Sequence, residues 1–412
     1  MTKAPLILFG ACDRHNLGDL LLMRIAQALV APRRVVVAGV AGRDLRPYGG
    51  PRTRALARVA QQWGRRHRDA PADLLHVGGE LITCSLYEAA VMTLEPAAAA
   101  AVIALYDRDP SARQHWAQQV LQLRQRLAYL ADKGLFARPG RFLHLALGGV
   151  EFARLPPDAR AEAVRRLSSS DALTVRDRIS RDALARVGIA AGLVPDAAVL
   201  TAELFGRRIT AHARAGEAAL VAGRFPQGYA AVQFAAEFGD DATLSGLAAA
   251  LDCIAAQTGW GLVLFRAGAA PWHDDREVYL RLLQRLKAPA HLFDALNIWQ
   301  ICALLSHARL YLGSSLHGRI VAACFGVPGI SLVPSDEQMR TGKAAAYLAT
   351  WHPGEPTAVT PEALPAAVPM ALAQPATALA QRQRARQMAF RRLAGPLLAR
   401  LRTDATVPVS GP

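Results

Sequence analysis

Ser315, Leu316 and His317 lead directly into Gly318-Arg319 and the apolar residues 320–323. Ahead of them Leu310–Gly313 reads as a short buried strand, and behind them the apolar run closes at Gly326-Val327-Pro328. A strand, a turn of small residues and a helix start gather backbone amides around a point where an anion can bind. A histidine on that turn can move a proton beside the bound anion. The same residues would also serve as a plain helix cap, with Ser315 capping and His317 incidental.

Other turns follow runs that read as strands. In His15-Asn16-Leu17-Gly18-Asp19, Asn16 or Asp19 can cap a helix over 20–30, and Gly18 lets backbone approach a ligand closely. Gly78-Gly79-Glu80 and Gly148-Gly149, with Glu151 just beyond, read as paired-glycine turns. Arg176 leaves the strand at Thr174-Val175, where its guanidinium can meet an anion in fork geometry. Asp177 and Ser180 are ordinary helix-start residues, and Arg178 reads as solvated. Asp196 of Pro195-Asp196 either orients a cleft partner or stops its strand, while His76 lies inside a strand and reads as a core histidine. Neither G-x-G-x-x-G nor G-x-x-x-x-G-K-[ST] occurs.

The elements that must hold these turns alternate. Strands at 6–9, 34–39, 74–77, 142–147 and 172–175 are interleaved with helices at 20–30 and 178–187. Residues 87–138 read as mostly helical, including a polar helix around 115–130. An arginine-rich polar stretch at 205–217 marks a boundary. After it, strands at 230–234, 261–265, 310–313 and 329–333 alternate with helices at 243–257, 276–287 and 296–306. Such alternation predicts parallel sheets with helices on both faces. The expectation is α/β, with two Rossmann-like doubly wound domains facing across a cleft. They span residues 1–204 and 218–370 and precede a helical tail at 371–412, whose last ten residues are expected to be loose. Ligands in such sheets sit at the carboxyl ends of the strands.

Composition narrows the function. A content of 52% hydrophobic and 20% charged residues in 412 is that of a globular chain. The net charge of +15 comes mainly from arginines spread along the chain, without finger spacing, a helix-turn-helix pattern or basic-aromatic interleaving. Nucleic acid is therefore not expected as a partner, whereas an anionic small molecule or an anionic membrane surface fits. The 5 cysteines are scattered and lack any C-x-x-C pair, which suits a reducing cytoplasm and argues against a zinc or disulfide framework. No metal site is expected. No run reaches the ~18 apolar residues of a membrane span, and residues 6–9 read as a buried strand, not as part of a signal peptide. The expected location is cytoplasmic, with peripheral contact at the inner membrane face left open.

In order along the chain stand Asn16-x-Gly18-Asp19, Gly78-Gly79, Arg176-Asp177-x-x-Ser180, Pro195-Asp196, Ser314-x-x-His317, Gly326-Val327-Pro328 and Lys343. This ordered set resembles the polysaccharide pyruvyl transferase family. The resemblance implies a GT-B-like fold and transfer of a pyruvyl group from phosphoenolpyruvate to sugar hydroxyls. The acceptor would be a surface polysaccharide or its lipid-linked precursor, the product a ketal. Phosphoenolpyruvate would be a co-substrate, and no further cofactor is implied. By the same resemblance Leu316 and His317 contact the donor. Ser315 stands where the family has an arginine. Arg319, one helical turn on, either reaches the same anion or is a helix-surface charge; Arg224 and Arg266 are further candidates.

On this reading His317 does the proton work. The helix start with Ser314, Ser315 and Leu316, together with Arg176, Arg319 and Lys343, forms the anion site. Asn16 and Asp19 meet the acceptor from the facing domain, and Gly18, Gly78 and Gly79 complete the substrate-binding set. Two other readings stay open: a GT-B glycosyltransferase using a nucleotide sugar, and a non-enzymatic scaffold in polysaccharide assembly.

Overall fold

Strands that are apolar along their whole length must be covered on both faces, and the chain supplies helices to do so. A computed structural model describes residues 4–67, 70–334, 342–352 and 358–402. Its first sheet contains β1 (Leu6–Phe9), β2 (Val35–Gly39), β3 (Arg54–Ala55), β4 (Ala72–Glu80), β5 (Pro139–Gly148), β6 (Ala172–Val175) and β7 (Gly192–Leu193). Their order is β3-β2-β1-β4-β5-β6-β7, parallel throughout. The second sheet contains β8 (Tyr229–Gln233), β9 (Gly261–Phe265), β10 (Ala290–Phe293), β11 (Leu310–Gly313), β12 (Gly329–Leu332) and β13 (Ala358–Val359). Its order is β10-β9-β8-β11-β12-β13, again parallel.

The fold is α/β, with two doubly wound sheets of GT-B type. In each sheet the order reverses beside the first strand, between β1 and β4 and between β8 and β11. Those are the switch points where a crevice opens at the strand carboxyl ends.

Several local expectations need correction. Gly78 and Gly79 do not form a turn, because β4 runs on through Glu80, held by pairing of Gly79 with Leu147 and of Glu80 with Gly148. The helix read around 115–130 ends at Leu121, where Gln122 takes a left-handed φ of 52°. The short strands β3, β10 and β13 gave no signal strong enough to be read. The boundary stretch is helical, as Thr201–Ala213 and then Gly216–Arg224. The last ten residues lie outside the described residues.

One apolar core joins the two sheets. Leu8 of β1, Ala231 of β8 and Val263 of β9 belong to one buried cluster, filled by helices Leu17–Val30, Ile298–His307 and Leu316–Cys324. The last helix, Ala376–Arg402, adds Leu397, Leu398 and Leu401 to it. Each sheet also keeps a separate core on its other face. Among the described residues, no single helix is long and apolar enough to cross a membrane.

Candidate active site

The turn after β11 is clamped from the neighbouring strand. Gln233, the last residue of β8, accepts from Ser314 N through its carbonyl (3.2 Å) and from Ser315 N through Oε1 (2.7 Å). Ser314 Oγ accepts from Ala235 N (3.1 Å), and the Tyr311 hydroxyl donates to the Ser315 carbonyl (2.9 Å). Ser315 caps the helix Leu316–Cys324, its Oγ accepting from Gly318 N (3.1 Å). The amides of Leu316 and His317 come next, the donors that a helix start leaves without an intrahelical acceptor. The Leu316 side chain is buried in the shared core, so only its backbone can face a ligand.

His317 reaches across to the first sheet. Its Nε2 lies 3.3 Å from Oδ2 of Asp196, which is fully buried. The same Oδ2 accepts from Arg176 Nη1 (3.0 Å), and Asp196 Oδ1 accepts from Ala198 N (2.9 Å). Arg176 Nη2 donates to Glu80 Oε2 (2.7 Å), and Glu80 Oε1 accepts from Val150 N (2.9 Å). A continuous chain, Glu80–Arg176–Asp196–His317, therefore links the end of β4 to the helix start. Burial alone would raise the Asp196 carboxyl; the charges of His317 and Arg176 outweigh it and hold the group well below the usual carboxylate range. The remaining ring nitrogen, Nδ1, presses on Gly18, where a Cβ would overlap the imidazole.

The first domain closes onto the second beside this contact. Asn16 caps helix Leu17–Val30, accepting from Asp19 N (3.2 Å), and forms an antiparallel bridge with Gly268. Leu17 N donates to the Ala267 carbonyl (2.6 Å). His15 spans the same seam, with Nε2 at 2.7 Å from the Leu296 carbonyl and Nδ1 accepting from Ala269 N (3.0 Å). Asp19 lies 3.6 Å from Arg14 Nη2 and abuts Gly79, whose φ of 97° suits glycine. Gly78 meets Leu22 of the helix, so its missing side chain serves packing.

Asp274 is buried and collects three donors. Its Oδ1 accepts from Gln233 Nε2 (2.9 Å), and its Oδ2 from Ala267 N (2.6 Å) and Gly268 N (3.2 Å). Desolvation outweighs those bonds and pushes the carboxyl up to about 7. Burial likewise depresses neighbouring His273 to about 4, with the charges of Arg14 and Lys343 adding to the effect.

Of the residues read from the sequence, the structure brings Gly18, Arg176, Ser314, Ser315, Leu316 and His317 to one place, with Asn16 and Asp19 at its edge. Lys343, exposed at the start of helix Lys343–Trp351, projects its charge onto His273 and Asp274. Arg319 answers to neither expectation. It is 2% exposed, and its guanidinium lies against Gly329 at the amino end of β12, because its position on the helix faces the sheet. Arg176 is equally buried, with both Nη atoms on carboxylates, so it braces Asp196 instead of offering a free fork. Arg224 lies beside Ala290 and His291 at the amino ends of the strands. Arg266 sits near Asp294, and its charge adds to the burial that holds His15 below the usual histidine range.

Asp274, Gln233, His15 and Arg14 were not singled out as site residues. Asp274 stands in Trp272-His273-Asp274-Asp275, a run that reads as solvated loop. Only the sheet order, which sets β8 between β9 and β11, reveals its role.

Residues 149–336 match the family model described as Polysaccharide pyruvyl transferase. The family resemblance read from the sequence holds over that stretch. It contains Arg176, Asp196 and the Ser314–His317 turn, whereas Asn16, Gly18, Asp19, Gly78 and Gly79 lie before it. No curated protein matches the chain in sequence.

Among solved structures, UDP-N-acetylglucosamine 2-epimerase from Rickettsia bellii is similar at 11% identity, with TM-score 0.54 and 97% of each chain covered. The UDP-GlcNAc 2-epimerase from Methanocaldococcus jannaschii gives 13% identity and TM-score 0.48, covering 89% of this chain and 92% of the other. Glycosyltransferase SnogD from Streptomyces nogalater gives 14% identity and TM-score 0.43, covering 97% and 100%. At these identities the first likeness is one of fold.

Proposed function

We propose that this protein transfers a pyruvyl group from phosphoenolpyruvate to two hydroxyls of a saccharide, forming a cyclic ketal and releasing phosphate. The observation that carries the reading is His317, placed at an anion-accepting helix start with Nε2 on the buried Asp196 carboxylate and Nδ1 toward Gly18 of the facing domain. Carboxylate contact at Nε2 assigns the ring proton there and leaves Nδ1 as the atom that exchanges protons with substrate. It also stabilises the imidazolium once formed.

One sugar hydroxyl adds to the enol carbon of phosphoenolpyruvate while its methylene gains a proton, giving a tetrahedral phosphate ketal. The second hydroxyl then attacks that carbon, its proton leaves, and the carbon–oxygen bond to phosphate breaks. His317 serves as acid and base in these steps. The amides of Leu316 and His317, with Lys343, supply fixed positive potential for the donor's carboxylate and phosphate. Arg176 keeps Asp196 ionised and in place. The acceptor enters from the side of Asn16 and Asp19.

The test is His317→Ala, assayed with phosphoenolpyruvate and a saccharide acceptor. Pyruvyl transfer should fall by roughly 10²–10⁴-fold in a variant that keeps its circular-dichroism spectrum, with a thermal midpoint lowered by the loss of the Asp196 contact. Near-normal turnover would overturn the assignment. A thermal shift produced by nucleotide sugars and absent with phosphoenolpyruvate would favour glycosyl transfer on the same fold.

A further inference from the structure

A pocket of about 590 Å³ opens between the segment that follows β4 and the loop that follows β9. That volume falls inside the ~300–1,000 Å³ common to small-molecule sites. Its walls come from the first half of the chain, Tyr87 and Arg113 among them, except for Trp272, which the second half contributes. Thr83, on its wall, lies three residues past Glu80 in the sequence, and Trp272 lies two before Asp274. The pocket therefore adjoins, along the chain, two residues of the site already described.

Its aromatic lining is unusual in two respects. Trp272 is 46% exposed and adopts a φ of 62°, a left-handed conformation that is a genuine outlier for a bulky side chain. Such strain concentrates at ligand clamps, where the surrounding structure enforces it. The Trp272 ring is tilted against Tyr87 at 6.1 Å between centroids, and Tyr87 meets Trp116 edge-on at 5.8 Å. Tyr87 is 5% exposed, and its buried hydroxyl has no hydrogen-bond partner among the described residues.

The polar rim sets the ligand's charge. Three carboxylates (Glu88, Asp107 and Asp158) stand against two guanidiniums, Arg113 and Arg126, on the lining. A phosphate or polyanion would meet a net negative rim. A neutral polyol would find both donors and acceptors.

We propose that this pocket is a saccharide subsite. The exposed Trp272 ring takes the apolar C–H face of a pyranose, and the charged rim bonds its hydroxyls, with Tyr87 backing the Trp272 ring from below. The first half builds the pocket, and the second half adds the aromatic face of Trp272 to it. As a place for sugars of the acceptor it rests on the transfer reading above; as a binding site it does not.

Trp272→Gly removes the ring and admits the positive φ, so the variant should keep the wild-type circular-dichroism spectrum. Titration calorimetry with maltotriose, cellotriose, mannotriose and galactotriose tests binding on wild type, Trp272→Gly and His317→Ala. At least one trisaccharide should bind the wild type. Trp272→Gly should weaken that binding by about tenfold or more, and His317→Ala should leave it within about twofold. Binding of none, or equal binding by Trp272→Gly, overturns the subsite. A subsite confirmed in this way, in a protein that transfers nothing from phosphoenolpyruvate, would leave the pocket standing and remove the donor reading. Transfer whose acceptor KM is the same in Trp272→Gly would remove the pocket and keep the transfer.

Discussion

Two residues from opposite halves meet at the centre of the candidate site. Gly18 has no side chain, and the imidazole of His317 occupies the space where one would be. Gly18 sits in the first turn of helix Leu17–Val30, where alanine is the better helix former by about 1 kcal/mol. Gly18→Ala should keep the fold but lower the thermal midpoint, because the clashing imidazole must give up its contact with the buried Asp196 carboxylate. Displacing the imidazole separates Nδ1 from its acceptor and Nε2 from Asp196. Misplacement by about 1 Å can cost ~10²-fold, so pyruvyl transfer should fall by that order while the fold holds. Full activity in Gly18→Ala would mean that His317 acts from another position. The Asp196 carboxylate behaves as a brace, because its folded-state pKa is depressed. Its stabilisation is complete above the ordinary carboxylate range and is lost as pH falls through the lowered value.

Within the loop between β9 and helix Arg276–Leu283, one side chain gathers the donors that face the Ser314-Ser315 turn. Asp274 ties Ala267 and Gly268 to Gln233, and Gln233 in turn clamps the Ser314-Ser315 turn. Its carboxyl is raised to about 7 from 3.8, so between those values the folded state binds a proton that the unfolded chain has released. Stability from this group therefore falls as pH rises from about 4 to about 7, by on the order of 4 kcal/mol. His273, lowered to about 4, acts in the opposite sense, with stability rising from about pH 4 to its unfolded value near 6.5. The two slopes largely cancel in the wild type. Asp274→Asn should uncover the His273 slope, so that urea midpoints rise between pH 4.5 and 7. A flat profile in that variant would count against the raised carboxyl.

The elements explain what could be read in advance. Alternating apolar runs sufficed for the two parallel sheets, because strands buried on both faces announce themselves as continuous hydrophobic stretches. The Ser314–His317 turn was legible because a cap residue and a histidine stand together between a strand and a helix. The partners of that histidine were not. Asp196 stood between two readings, and Glu80 lies 237 positions before His317 in the sequence (317 − 80). Arg319 misled because helical spacing places it on the Ser315 side without showing that this side faces the sheet. Gly78-Gly79 misled because glycine pairs mark turns more often than strand interiors.

At the scale of the whole molecule, two sheets and one shared core set how the cleft behaves. Chains of this length commonly unfold domain by domain. Here the seam is a packed interior. Trp299, fully buried, meets Phe205 at 4.9 Å and lies under the Arg208 guanidinium, and Gly49 of the first half abuts its ring. Helix Ala376–Arg402 closes the circuit after the second sheet, with Arg33 Nη1 donating to the Leu401 carbonyl (2.8 Å) and Gln383 Nε2 to the Val199 carbonyl (2.7 Å). Neither half can lose its fold without exposing apolar surface of the other. Urea unfolding followed by far-ultraviolet circular dichroism and by tryptophan fluorescence should therefore give coincident, single transitions. Trp299→Ala, which empties the seam at a cost of about 3–5 kcal/mol, should lower the midpoint and separate the two signals as the halves lose their shared interior. Two transitions already present in the wild type would show instead that the halves are independent, and that the contact between His317 and Gly18 forms by domain closure on each encounter with substrate.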